Sequence, residues 1–415
     1  MSRLDELIQE LCPNGVEFIT LNKICGVYDG THQTPKYTDS GIKFASVENI
    51  EEPYATEKYI SIADYEKYKI KPQRNDLLMT RIGSIGVCTV IESDEPLAYY
   101  VSLALLRPDN KVLNSRYLKY AIESLHCRKE LRKRTLVNAV PIKINMGDIG
   151  KITVPLPPLE VQSEIVRILD NFTELTAELT AELTARKKQY EFYRDELLKP
   201  ASEIKTVPLA DIADISTGSS NTNEGLDEGK YPFFVRSQEV RRKNEYEFDE
   251  TAIITAGDGV GVGKVFHYVK GKYALHQRAY RIHINNDDVL PKYFFYYMKS
   301  AFMPYIEKTM FQGSVPSIRR PMLNAFPVPV PALDAQKRIV EFLDNFEKIC
   351  NDLNIGLPAE IEARQKQYEF YRDALLTYAA TGKIILTDRQ TDRQTDRQTD
   401  RQTDRQTDRQ TDRRA

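Results

Sequence analysis

The sequence predicts an α+β chain: two β-rich domains joined by two long antiparallel, coiled-coil helical segments with pseudo-twofold symmetry, then a disordered repeat tail. Three observations carry this. The octapeptide KQYEFYRD stands at both Lys188–Asp195 and Lys366–Asp373. Apolar residues recur at helical spacing around each copy, whereas the intervening chain alternates short β-branched runs with glycine. From Thr387 the tetrapeptide TDRQ is repeated six times before the chain ends TDRRA.

The first β-rich domain is placed at residues 1–153 and the second at 201–327. They share a faint repeat: Leu21, Ile24 and Gly30 fall in register with Leu209, Ile212 and Gly218. DLLMTRIGSIGVCTVI (Asp76–Ile91) and AIITAGDGVGVGKVF (Ala252–Phe266) both read as strand, glycine turn, strand.

The helical segments are placed at 154–200 and 328–380. VPLPPLEVQSEIVRILDNF (Val154–Phe172) matches VPVPALDAQKRIVEFLDNF (Val328–Phe346), and the prolines impose an extended lead into each helix. The first helix carries a seam at Val161, Ile165, Ile168, Phe172, Leu175, Leu179, Leu183, Tyr190, Tyr193 and Leu197. Its 4,4 step coincides with ELTA written three times from Glu174 to Ala185. Gly356 and Pro358 predict a break in the second helix. The tail, 381–415, has almost no apolar residue with which to build a core and is expected to be disordered.

Composition excludes several function classes. Net charge is −2, so the whole chain does not advertise nucleic-acid binding, although RKELRKR (Arg128–Arg134) and RSQEVRRK (Arg236–Lys243) are local basic clusters. No apolar run suits a membrane span, and the start lacks the apolar stretch of a secretory leader. The five cysteines (Cys12, Cys25, Cys88, Cys127, Cys350) are scattered and read as reduced cytosolic thiols.

Catalytic motifs are missing where an enzyme would need them. There is no [DN]PP[FY] adenine-methyltransferase signature, and the five histidines form no HxxxH pair. GDGVGVGK (Gly257–Lys264) imitates a phosphate loop but puts Asp258 at the first glycine and Val265 at the Ser/Thr position. The expectation is a turn, with no catalytic and no metal-binding residue.

PLPPLEVQSEIVRILDNF, PVPALDAQKRIVEFLDNF, the ELTA array, the paired RKKQYEFYRD and RQKQYEFYRD, and the opening LCPNGVEFITL together resemble the specificity subunit of a Type I restriction-modification enzyme. The resemblance covers nearly everything to about Leu386. It implies a non-catalytic, cytoplasmic DNA-recognition subunit with two target-recognition domains. Each would read one half of a bipartite site in double-stranded DNA, and the helices would set the gap. It also implies two methyltransferase subunits holding S-adenosylmethionine and motor-nuclease subunits using ATP and Mg, with no cofactor in this chain. The competing readings are a stand-alone methyltransferase or nuclease, and a structural coiled-coil adaptor.

Base edges are read by Arg or Lys at guanine and by Asn or Gln at adenine, so loops rich in those side chains are the DNA-binding candidates. They are Thr31, His32, Gln33, Lys36, Arg81, Ser84, Lys143 and Asn145 in the first domain. In the second they are Ser219, Ser220, Asn221, Arg236, Gln238, Lys264, His276, Gln277, Arg278, Ser317, Arg319 and Arg320. Two identical partners on two half-sites require equivalent docking surfaces. The repeat offers Gln162, Tyr190, Tyr193 and Arg194 against Gln336, Tyr368, Tyr371 and Arg372.

Overall fold

A computed structural model of the chain describes residues 2–33, 36–309 and 317–383. The TDRQ tail, expected to be disordered, lies outside the described residues. The chain forms two compact units. The first runs to Ala177 and takes up the chain again from Ala363; the second is Glu178–Glu362.

The first unit opens with the helix Arg3–Leu11, started by a reciprocal cap between Ser2 and Asp5. Its Leu4 and Ile8 are buried in the same core as Leu376 and Ala379 from the last helix, Leu357–Thr381. Strand Phe18–Thr20 then pairs antiparallel with Thr153–Pro155, so the proline-rich lead into the long helix is held as a short ladder. Between these strands lie two four-stranded sheets. One is antiparallel, in the order Cys25–Asp29, Leu103–Pro108, Leu77–Thr80, Cys88–Val90. The other runs Tyr37–Thr38, Tyr59–Ile60, Ile42–Ala45, Leu97–Tyr99 and closes on a parallel pair. Helices Ser115–Ile122 and Leu125–Arg134 lead back to Thr153.

The second unit repeats this plan with one larger sheet. Thr206–Pro208 pairs with Pro327–Pro329. Six strands follow in the order Ala213–Thr217, Ala279–Ile284, Phe248–Ala256, Phe266–Leu275, Tyr231–Phe234, Arg241–Lys243. One helix, Pro291–Thr309, stands where the first unit has two. Both strand–turn–strand segments expected from sequence are present, as Leu77–Thr80 with Cys88–Val90 and as Phe248–Ala256 with Phe266–Leu275.

The first long helix is continuous over Leu159–Leu198, and the second is broken into Leu333–Asn351 and Leu357–Thr381, where Gly356 and Pro358 predict it. The predicted seam holds at its start, where Val161 and Ile165 are fully buried, but Leu198 rather than Leu197 is buried at its end. Leu169 is also buried and Leu175 is exposed. The buried stripe follows different neighbours at the two ends of the helix: Val161, Ile165 and Leu169 pack in the core of the first unit, and Tyr190 and Leu198 in that of the second. No residue of the ELTA array, Glu174–Ala185, is buried.

Two buried glutamines fix the long helices to their β-rich bodies. Gln162 Oε1 accepts from Asn114 N at 2.8 Å, and its Nε2 donates to Val112 O at 2.8 Å and Pro157 O at 2.7 Å. Gln336 repeats the pattern with Leu290 N, Asp288 O and Pro331 O, at 2.8, 2.7 and 2.8 Å. Both side chains are wholly buried, which corrects the expectation that they dock a partner.

Both octapeptides also turn inward in part. Tyr190 is buried against Phe346 in the second unit, and Tyr368 against Tyr120 in the first. Asp195 accepts from Ser300 Oγ at 2.6 Å, and Asp373 accepts from Leu125 N at 3.0 Å, capping the helix Leu125–Arg134. Arg372 is buried beside Asp373 and over the Tyr368 ring. Tyr190, Tyr368 and Arg372 are therefore engaged within their own units, a second correction to the docking set. Tyr193 and Tyr371 remain exposed, packed on Phe342 and Phe172 respectively, and Arg194 pairs with Asp195 at 2.8 Å.

Gln162→Ala strands one buried N–H and two carbonyls and should cost about 3 kcal/mol, at roughly 1 kcal/mol or more per orphaned group. Gln162→Glu should not rescue it, because a carboxylate cannot donate to Val112 and Pro157. Thermal unfolding of the three proteins is the measurement; an unchanged midpoint in Gln162→Ala would remove the clamp from the fold's energetics.

His267, in strand Phe266–Leu275, is buried against Phe234, and its Nε2 donates to Ser237 O at 3.1 Å. Burial holds its pKa below the ordinary value of 6.5. As pH falls through 6.5 the unfolded chain takes up a proton that the folded chain refuses, so stability present above 6.5 is lost below it. Thermal unfolding between pH 7.5 and 5.5 should show this loss, and His267→Gln should melt with a flatter pH dependence.

Candidate nucleic-acid interface

The loops proposed from sequence converge, separately, in each unit. In the first, Asp29 ends the strand Cys25–Asp29 and holds two of the candidates. Its Oδ1 accepts from Arg81 Nη1 at 2.8 Å, and its Oδ2 lies 2.9 Å from His32 Nε2. Arg81 also donates to Val101 O at 3.0 Å and Ile144 O at 3.4 Å. Its side chain is only 9% exposed, so Arg81 braces three loops from inside instead of presenting its guanidinium to a ligand. Ile82 bridges Lys143, and Gly83 N donates to Ile142 O at 2.9 Å. His32, Gln33, Lys36, Ser84, Lys143 and Asn145 are exposed around this brace, with Thr31 half-buried beside Tyr100.

The basic helix Leu125–Arg134 leads directly into the same loops, since Leu136 N donates to Lys143 O at 2.7 Å. Arg128, Lys129 and Lys133 on it are exposed, a charge pattern suited to phosphate.

In the second unit the centre is Asp258. Its Oδ1 accepts from Arg236 Nη1 at 2.6 Å and its Oδ2 from Arg278 Nη1 at 3.1 Å. Burial pushes the Asp258 carboxyl up, but the two guanidiniums outweigh it and hold the group below the ordinary carboxylate value. Asp258 bridges Ser317, while Gln277 Nε2 donates to Asn221 Oδ1 at 2.6 Å. Ser219, Asn221, Gln238, Lys264, Gln277, Arg278, Ser317, Arg319 and Arg320 are exposed. Two candidates are corrected. Ser220 is buried, its hydroxyl donating to Glu247 at 2.5 Å and accepting from Lys243 at 2.7 Å. His276 is buried too; its Nδ1 accepts from Arg278 N at 3.0 Å, and burial, then the charge of Arg236, lowers its pKa.

The two clusters share one backbone frame. Ile82 bridges Lys143 as Asp258 bridges Ser317. Ile144 N donates to Arg81 O at 3.0 Å, and Ile318 N to Gly257 O at 2.8 Å. Arg81 N bonds Ser102 O just as Gly257 N bonds Arg278 O, both at 2.9 Å. Gly30 and Gly218 are required for the same reason: a Cβ would lie 2.5 Å from the Tyr100 backbone or 1.9 Å from Leu275 O. What differs is the side chains mounted on the frame. Sequence reasoning found most of the exposed residues but missed Asp29 and Asp258, because residue preferences at base edges pick out donors and not the carboxylates that orient them.

Among the described residues no group of three or more His, Cys, Asp or Glu could hold a metal, and no helix is long and apolar enough to cross a membrane.

Comparison with known proteins gives this frame a lineage. The family described as the Type I restriction modification DNA specificity domain matches twice, at residues 13–186 and 201–363. A specificity subunit of the Escherichia coli type I restriction enzymes EcoR124I and EcoR124II is 35% identical over 257 residues, covering 55% of this chain and 63% of that protein. A putative type I restriction enzyme specificity subunit of Haemophilus influenzae is 31% identical, covering 64% of this chain and 73% of the relative. In fold, a chain from a structural study of complex assembly in a type I restriction-modification system aligns at a TM-score of 0.60, with 15% identity, over 90% of this chain and 99% of its own. The specificity subunit of M. genitalium aligns at 0.50, with 14% identity, over 87% and 96%. With two copies of the family domain spread across both units, the chain belongs to the Type I restriction modification DNA specificity family.

Proposed function

We propose that this chain is the non-catalytic, sequence-reading subunit of a cytoplasmic type I restriction-modification complex. Residues 1–153 and 201–327 are the two readers, each contacting one half of a bipartite site in double-stranded DNA. The helical segments 154–200 and 328–380 set the gap between the half-sites. The observation that carries this is the pair of loop clusters: one backbone frame, repeated, bearing different base-reading side chains. A structural adaptor would have no use for exposed Arg, Gln, Asn and Lys on matched loops. Methyltransferase subunits, bringing S-adenosylmethionine, engage the parts of the repeat that stay exposed, Tyr193 and Tyr371. Motor-nuclease subunits, with ATP and Mg, join through that complex.

Exchanging residues 201–327 for the matching domain of a relative, and sequencing the methylated motifs of cells that carry the complex, tests the division of labour. One half of the motif should change and the other persist; a change in both halves would defeat the two-reader scheme.

The ELTA array supplies a second test. One extra unit after Ala185 adds four residues, about 6 Å of rise and about 40° of rotation. One DNA base pair adds about 3.4 Å and roughly 35°. The rotation matches one base pair, whereas the rise overshoots one unless the helices are inclined to the DNA. With rotation as the constraint, the half-sites should stay the same and the gap should grow by one base pair. An unaltered gap in an active complex would show that the helices do not measure it.

A further inference from the structure

The second unit holds an arrangement that the first lacks. Arg236 follows the strand Tyr231–Phe234, and Arg278 sits in the turn between Phe266–Leu275 and Ala279–Ile284, so the two come from different parts of the sheet. Asp258, on the glycine loop, takes one Nη1 donor from each. The Arg278 side chain is 63% exposed and that of Arg236 39%, against 21% for Asp258 between them. A guanidinium held by a single Nη1 still has its Nε and second Nη edge, the planar fork that matches guanine O6 and N7. The Arg278 main chain is fixed as well, since its N–H donates to the buried His276. At the matching place the first unit has Ile82 bridging Lys143, and its own arginine, Arg81, is turned inward.

Resting on the reading above, we propose that the second unit recognises a G·C pair through Arg278, supported by Arg236, and that Asp258 is the positioning residue that orients both. The carboxylate has two effects. It cuts the rotamer freedom that each arginine would lose on binding. As an anion beside the binding face, it also disfavours capture of the guanidiniums by the phosphate backbone, which would carry no sequence information. A loop that imitates a phosphate cradle in sequence is thereby turned to the opposite use.

The test uses the full chain in its assembled complex. The half-site of the second unit is assigned by the domain exchange and read from methylated motifs. Arg278→Lys keeps the charge on an exposed side chain but removes the fork. It should relax the preference at one G·C position by about tenfold or more, leaving the other half-site intact. Asp258→Asn should relax the same position without weakening binding to a duplex of randomised sequence at low salt. Three results would overturn the inference: a second half-site without a G·C pair, an Arg278→Lys complex with unchanged preference, or an Asp258→Asn complex that binds all sequences more tightly while keeping its preference. An Arg278→Ala variant that only lowers the salt slope of binding by about one, uniformly across sequences, would assign Arg278 to phosphate and overturn it too. A wild-type complex with no bipartite motif would defeat the parent reading instead, so the two failures are distinguishable.

Discussion

A helix that leaves a β-rich body through a run of prolines begins with stranded backbone groups, and one amide side chain resolves that problem in each unit. The prolines ahead of the helix Leu159–Leu198 donate nothing, and the carbonyl of Pro157 faces inward. The loop before Ser115–Ile122 adds an N–H at Asn114 and a carbonyl at Val112. Gln162 serves all three, because its amide has an acceptor and two donors on a side chain long enough to reach them. Gln336 repeats this on another loop of similar geometry. Tyrosines finish the joint: Tyr117 donates to Pro155 O at 2.9 Å and Tyr293 to Pro329 O at 3.1 Å. Tyr120 bonds Asp170 and Tyr296 bonds Asp344, so the repeated LDNF is tied to the body as well. The direction in which each helix leaves its body follows from these bonds.

Each unit is built from chain segments far apart in sequence. The first core combines Ile165 and Leu169, near the start of one long helix, with Tyr368 and Leu376, near the end of the other. The second core combines Tyr190 and Leu198 with Leu343 and Cys350. The octapeptide is thus written twice because each β-rich body needs a helix to return to it, with a tyrosine to bury and an aspartate to bond. The helix pairing is antiparallel in the second unit, where Tyr190 meets Phe346 and Tyr193 meets Phe342. The ELTA array contributes little to either core: none of its residues is buried, and Leu183 packs half-buried against the second.

Much of this was legible in the sequence, and the limits have physical causes. The duplication, the helix break at Gly356 and Pro358, and the strand–turn–strand pairs all rest on local backbone preference, which a sequence displays directly. The repeat matches Gln162 with Gln336 and so suggests an equivalent docking surface, but the burial of Gln162 depends on partners 48 and 50 residues away. The same holds for Arg81, whose acceptors Asp29 and Ile144 lie 52 and 63 residues away. Side-chain type located the loops of the candidate interface. It did not reveal which arginines turn inward, because that is decided by carboxylates and carbonyls brought in by the fold.

The division between backbone and side chain explains how one architecture can carry two readers. The bonds that repeat between the clusters are made by main-chain N–H and C=O groups, which every residue type except proline provides. In that frame Gly30 and Gly218 are sterically obligatory, and in the second unit so is Gly257, where a Cβ would lie 2.7 Å from Arg278 O. The side chains mounted on the frame are therefore free to differ, and they do: half-buried Ile82 against half-buried Asp258, exposed Lys143 against exposed Ser317, and buried Ser102 against exposed Arg278. A change at one of them alters the chemistry offered at the surface without disturbing a ladder bond or the glutamine clamp beneath. Stability resides in the buried joint, and in the function proposed above recognition resides in the exposed loops, so a change in one set of loops leaves the joint and the repeated frame as they are.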